Sequence, residues 1–113
     1  LGDVYKRQKQ EDTGLLLSID ESTQLHVLPL TQKNSTGAKY VVYGVHSEDF
    51  DAEKPKVDKL TKLADGTLKT ARQDIELKEK PEAFDAALIM FTDMPKSGSV
   101  TLRDAMLVGI PTD

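Results

Sequence analysis

The chain has 113 residues, 38% of them hydrophobic and 30% charged, with a formal net charge of −4 and neither cysteine nor tryptophan. That length and apolar share suit one domain with a single core, and the lack of cysteine excludes disulfide scaffolds, thiolate metal sites and cysteine nucleophiles. The acidic balance weighs against a nucleic-acid partner, which needs clustered Lys and Arg to displace counterions, and no apolar run reaches the roughly 18 to 20 residues of a membrane-spanning helix.

Leu1-Gly2-Asp3-Val4-Tyr5-Lys6-Arg7-Gln8 opens the chain. In one reading frame these residues back-translate to CTC GGA GAT GTG TAT AAG AGA CAG, and they resemble a translated transposon and sequencing-adapter artefact, the kind of scar set aside before fold is considered. The resemblance implies that residues 1–8 are a non-native leader that packs against nothing specific. Residues 9–113 are then a single β-rich domain, truncated at its N-terminus, with 13 Lys and Arg against 18 Asp and Glu, a charge of −5.

Leu15 to Ile19 is a short apolar run closed by the polar cluster Asp20-Glu21-Ser22-Thr23, the pattern of a strand entering a turn. In Gln24 to Leu30 the residues Leu25 and Val27 alternate with Gln24 and His26, but Leu28 and Leu30 are apolar too, which predicts a second strand with both faces partly covered. Pro29 belongs at a strand end or edge. Thr31 to Gly37 is a polar loop, and Tyr40-Val41-Val42-Tyr43-Gly44-Val45 has the β-branched and aromatic content of a strand, so the two strands are expected to form an antiparallel hairpin around Asn34. In a symmetric register His26 lies opposite Tyr43, and His46 lies opposite Thr23 on the other face.

Ser47 to Glu53 is an acidic connection. Beyond it Val57, Leu60, Leu63 and Ala64 recur at helical spacing, framed by Pro55 and Gly66, which predicts one short helix near 55–65. Thr67 to Lys78 fits either period, with a strand favoured. Pro81 to Phe84 starts a turn, Ala86 to Thr92 is an apolar strand, and Val100–Leu102 with Met106–Ile110 resembles a hairpin whose second strand is interrupted or bulged at Arg103-Asp104-Ala105. Five to seven short strands with turn signals between them predict a mainly β fold, a small antiparallel β-sandwich or barrel, with α+β as the alternative.

Chemistry-bearing residues are sparse. His26 and His46 titrate in the useful range, yet ordinary polar-face or strand-end histidines fit them as well. Asp49, Asp51 and Glu53 place carboxylates at alternate positions, but the stretch fails the calcium-loop pattern, because Lys54 stands where the tight turn needs Gly and Leu60 where a bidentate Glu belongs. Ser35-Thr36-Gly37-Ala38-Lys39 lacks phosphate-loop spacing, and Lys96-Ser97-Gly98-Ser99 lacks the nucleophile elbow. Arg72 and Arg103 stand near Asp74 and Asp104 and suit ion pairs. A sugar platform could come only from Tyr40, Tyr43, Phe50, Phe84 or Phe91. Leu88–Phe91 and Met106–Ile110 carry more apolar surface than a one-sided sheet requires, which means core or a subunit contact.

The expectation is a non-enzymatic structural or protein-interaction module; a subunit of a virion or cell-surface assembly is one form it could take. It would need no catalytic residue and no cofactor, and its partners would be proteins. The alternative is a small metal- or ligand-dependent enzyme or binding protein using His26, His46 and the acidic loop 48–53, with Asp49, Asp51 and Glu53 as metal ligands.

Overall fold

The computed structural model describes residues 4–8, 13–51, 56–78 and 82–112. The protein is mainly β, a curled antiparallel sheet that forms a half-barrel. Its strands are β1 (Val4–Gln8), β2 (Thr13–Lys33), β3 (Lys39–Val45), β4 (Thr61–Thr67), β5 (Arg72–Glu76), β6 (Phe84–Asp93), β7 (Thr101–Ala105) and β8 (Val108–Pro111). The order β1-β2-β6-β3-β4 makes the main sheet, and β5, β7 and β8 also pair with β2.

β2 organises the fold. Its first half carries β1 on one edge and β6 on the other; its second half carries β5 on one edge and β7 with β8 on the other. Asp20 to Thr23 does not turn the chain, as the polar cluster led us to expect. Instead the pairing with β6 jumps from Ser18↔Ala86 to Thr23↔Phe84, so Asp20, Glu21 and Ser22 bulge out into solvent while one strand runs through. A hydrogen bond from the Thr23 hydroxyl to the Glu21 carbonyl (2.9 Å) closes the bulge locally. A second irregularity sits at His26, where Leu25 pairs with Gly109 and Val27 with the adjacent Val108. One extra residue reverses the alternation, which is why Leu25, Leu28 and Leu30 all reach the same core despite their mixed parity.

The hairpin around Asn34 does not form either. β3 pairs with β4 and β6, and β6 lies between β2 and β3. The central position of β6 explains its continuous apolar run. Ala87, Ile89 and Phe91 join the main core, while Ala86 and Leu88 join Val45 in a smaller cluster on the opposite face. From the described parts of the connection after β3, Phe50, Val57 and Leu60 pack on that second face.

Covering that face accounts for the helix expected near 55–65. Among the described residues it shrinks to one 3-10 turn, Val57–Lys59, followed at once by strand β4. Its helical spacing came from two burial events: Val57 and Leu60 pack on the outer cluster, whereas Leu63 and Ala64 enter the main core. Arg72–Glu76 is a strand, with Ile75 buried. β7 and β8 are not a hairpin but successive strands along β2, broken at Met106 and Leu107, and the bulge falls on Arg103, between Thr31↔Asp104 and Gln32↔Leu102.

The backbone of residues 4–8 is paired with β2 from Val4↔Leu17 to Gln8↔Thr13, contrary to the expectation of an unpaired leader. No helix among the described residues is long and apolar enough to cross a membrane.

Candidate functional site

Where β3 ends and β4 and β6 begin, three chain segments meet around an open cleft of about 560 Å³. β3 delivers Gly44, His46 follows directly after that strand, the 3-10 turn Ser47–Asp49 leads to Phe50 and Asp51, and the second turn brings Lys56, Lys59 and Leu60 to the lining. Glu82, just before β6, Phe84, its first residue, and Thr61, the first of β4, complete it.

Phe84 is the floor of this arrangement. Its ring is buried, and a Cβ on Gly44 would stand 2.7 Å from two of its atoms, so the side chain missing from Gly44 leaves the space that Phe84 fills. The His46 ring rests on Phe84 with centroids 5.0 Å apart and planes tilted by 36°. From there His46 Nε2 meets Glu82 Oε2 at 2.5 Å, although both side chains are close to half exposed. A ring held by packing on one side and a carboxylate on another has lost most of its rotational freedom before any ligand arrives.

The turn behind His46 is fixed by Asp85. One carboxylate oxygen accepts the Ser47 backbone N–H at 2.8 Å, and the other accepts the Ser47 hydroxyl. Burial pushes the Asp85 carboxyl up, but the Ser47 hydroxyl and amide, its own amide and the nearby His46 outweigh burial together, and its pKa ends below the ordinary aspartate value. Asp85 is therefore a weak base. Ser47 donates its hydroxyl to this carboxylate and His46 is engaged with Glu82, so adjacent serine, histidine and acid residues do not form a nucleophilic relay.

The structure brings together three of the five candidate metal ligands: His46, Asp49 and Asp51 line the same cleft. His26 is not among its lining residues and sits at the β2 bulge described above. Glu53 lies outside the described residues. Among the described residues no group of three or more His, Asp or Glu side chains is placed to hold a metal ion.

Sequence reasoning missed Glu82, Asp85 and the two lysines. They are more than thirty residues from His46 or sit in what looked like a helix, and no local pattern links them. Of the five aromatic candidates for a sugar platform, Tyr40, Phe84 and Phe91 are core, with Phe84 also lining the cleft, Tyr43 is half-buried against the second cluster, and Phe50 lines the cleft.

No family model and no curated protein matches the sequence. In fold the chain is similar to a solved structure described as CpGH89CBM32-6 produced by Clostridium perfringens, a carbohydrate-binding module of a glycoside hydrolase. The TM-score is 0.64 over 94% of this chain and 75% of that one, at 12% sequence identity, a likeness of fold alone.

Proposed function

We propose that the protein is a non-catalytic binding module whose cleft, centred on His46 and Glu82, takes a polar, hydroxyl-rich ligand of the saccharide class. The observation that carries this reading is the fixed pair itself. A histidine and a carboxylate, immobilised at the rim of an open cleft and not joined to a nucleophile, can donate to and accept from neighbouring hydroxyls without further ordering. Asp49, Asp51, Lys56 and Lys59 add acceptors and donors around the wall, and Phe50 offers an apolar surface. By analogy of fold alone, the likeness to a carbohydrate-binding module points to the same ligand class.

Isothermal titration with a panel of neutral and acidic oligosaccharides tests it. Saturable binding that falls at least tenfold in His46→Ala and in Glu82→Gln is expected. No saturable binding across the panel, or binding that both variants leave intact, would refute it.

A second reading, in which the module is a subunit of a virion or cell-surface assembly, is favoured by one observation. β8 exposes Val108 at 42% and Ile110 at 58%, two apolar side chains on one face of a strand whose one pairing among the described residues is with β2. Light scattering across a hundredfold concentration range, with Ile110→Lys as control, separates a self-associating chain from a strict monomer.

A further inference from the structure

We infer that the protein carries a second site, at the Asn34 turn, that binds a tetrahedral oxyanion of the sulfate or phosphate class. The site is an open groove of about 420 Å³ formed by the end of β2, the turn that follows it, the segment before β5, and β7. It shares no lining residue with the His46 cleft and stands independently of the saccharide reading.

Charge is the first reason. The chain as a whole is acidic, with a net charge of −4, yet among the described residues the groove is lined by two cations, Lys33 and Arg103, and by no carboxylate. Neither cation is engaged in an ion pair among the described residues, where the paired basic groups are Lys39, His46 and Lys62. Asp104 follows Arg103 in sequence but does not line the groove. Two unneutralised positive charges facing one concavity concentrate anions there.

Backbone geometry is the second. Arg103 is the extra residue of the β7 bulge, and a bulge re-aims a side chain that regular alternation would send elsewhere. Across the groove Asn34 holds φ at +55°, a left-handed conformation uncommon outside glycine though tolerated by asparagine. Two departures from regular backbone thus flank the same groove.

The third reason is how firmly the turn is held. Gln32 and Ser35 are buried polar residues, 4% and 0% exposed, and burying such groups is costly unless they are fully bonded. Gln32 accepts the Ser35 backbone N–H at 2.8 Å and donates to the Thr70 carbonyl at 2.8 Å and the Thr36 hydroxyl at 3.2 Å. The Ser35 hydroxyl accepts the Thr101 N–H at 2.7 Å, tying the turn to the first residue of β7, and donates to the Lys33 carbonyl at 3.0 Å. Ser97 adds a hydrogen bond to the Asn34 carbonyl at 2.7 Å. The network fixes the backbone that presents Lys33, Asn34 and Thr36 and ties it to the strand that presents Arg103, so the segments that carry the donors are in place before an anion arrives. Donors arriving from several directions match a tetrahedral acceptor, and the guanidinium fork matches two of its oxygens.

The test is a titration of isotope-labelled protein, followed by backbone amide resonances and the Arg103 Nε–H signal, with sodium sulfate, sodium phosphate, sodium acetate and sodium chloride at constant ionic strength. Saturable shifts confined to residues 31–36 and 101–104 are expected with sulfate and phosphate, with a midpoint on the order of 1–10 mM. Arg103→Gln and Lys33→Gln should each raise that midpoint at least tenfold, while Lys62→Gln leaves it unchanged. Both residues are exposed, so neither substitution endangers folding. Dextran sulfate that binds tenfold tighter per sulfate identifies a polymer-borne group as the natural ligand, and equal affinity per sulfate identifies the free ion. Shifts that stay linear to 50 mM, an unchanged midpoint in both groove variants, or an equal response to acetate would overturn the assignment.

Discussion

Gly44→Ala probes the link between the core and the His46 cleft. Gly44 lies in β3 and does not adopt a positive φ, so the backbone accepts alanine. The conflict is with Phe84, three ring atoms of which would stand 2.7, 2.7 and 2.8 Å from the new methyl. Carbon atoms in contact prefer about 3.5–4.0 Å, so the ring must retreat by roughly 1 Å into a core where Phe84 is 2% exposed. Overpacking of this kind costs about 1–3 kcal/mol, offset by about 0.4–1 kcal/mol from the lower entropy of the unfolded chain. A net loss centred on about 1.3 kcal/mol follows from the midpoints of those ranges, seen as a lower urea midpoint at unchanged m. Because His46 packs on the same ring, its imidazole resonances should move with the loss. Adding Phe84→Leu should relieve part of the clash, leaving a favourable coupling between the two sites. A destabilisation below about 0.5 kcal/mol, the range of ordinary surface substitutions, with His46 resonances in place, would show that Gly44 is not what makes room for the ring.

The depressed Asp85 pKa has a definite sign. A carboxylate with a lowered folded value contributes stability that is present above its unfolded value, near 3.8, and is lost as pH falls through the folded one. Wild type should therefore exceed Asp85→Asn in melting temperature at pH 7, and the two should converge below pH 4; a constant gap across that window would remove the Ser47 contacts as its cause. Gly109→Ala would place a Cβ 2.2 Å from the Gln24 carbonyl oxygen, a backbone atom that cannot rotate away. β8 should detach from β2, with faster amide exchange over 108–111 and a loss of at least about 1 kcal/mol; unchanged protection there would refute this. If residues 1–8 are adapter-derived, a chain beginning at Lys9 should unfold cooperatively with a melting temperature close to that of the full chain, and failure to fold would count against that origin.

Much of the fold was legible because it rests on short-range patterns. β3 announced itself through Tyr40 to Val45, β6 through Ala86 to Thr92, and the doubly covered character of β6 through apolar residues at both parities. Partner choice was illegible. Asp20-Glu21-Ser22 has the composition of a turn, and whether such a cluster reverses the chain or bulges from a continuing strand depends on what lies across from it, here Phe84 to Ala86. The cleft was legible in part. His46, Asp49 and Asp51 were visible as chemistry, but Glu82 and Asp85, which hold His46 and Ser47, come from just before and within β6, thirty-six and more residues away.

By itself, then, the sequence determined a mainly β, cysteine-free acidic domain, because strand propensity, alternation and composition are properties of neighbouring residues. Tertiary structure alone decided that β6 separates β2 from β3, that Val57 and Leu60 cover a second face instead of forming a helix, and that Arg103 turns toward the Asn34 groove. Each of those outcomes depends on burial and pairing between segments distant in the chain, where the same apolar or charged residue fits several local structures and only its long-range partners select one.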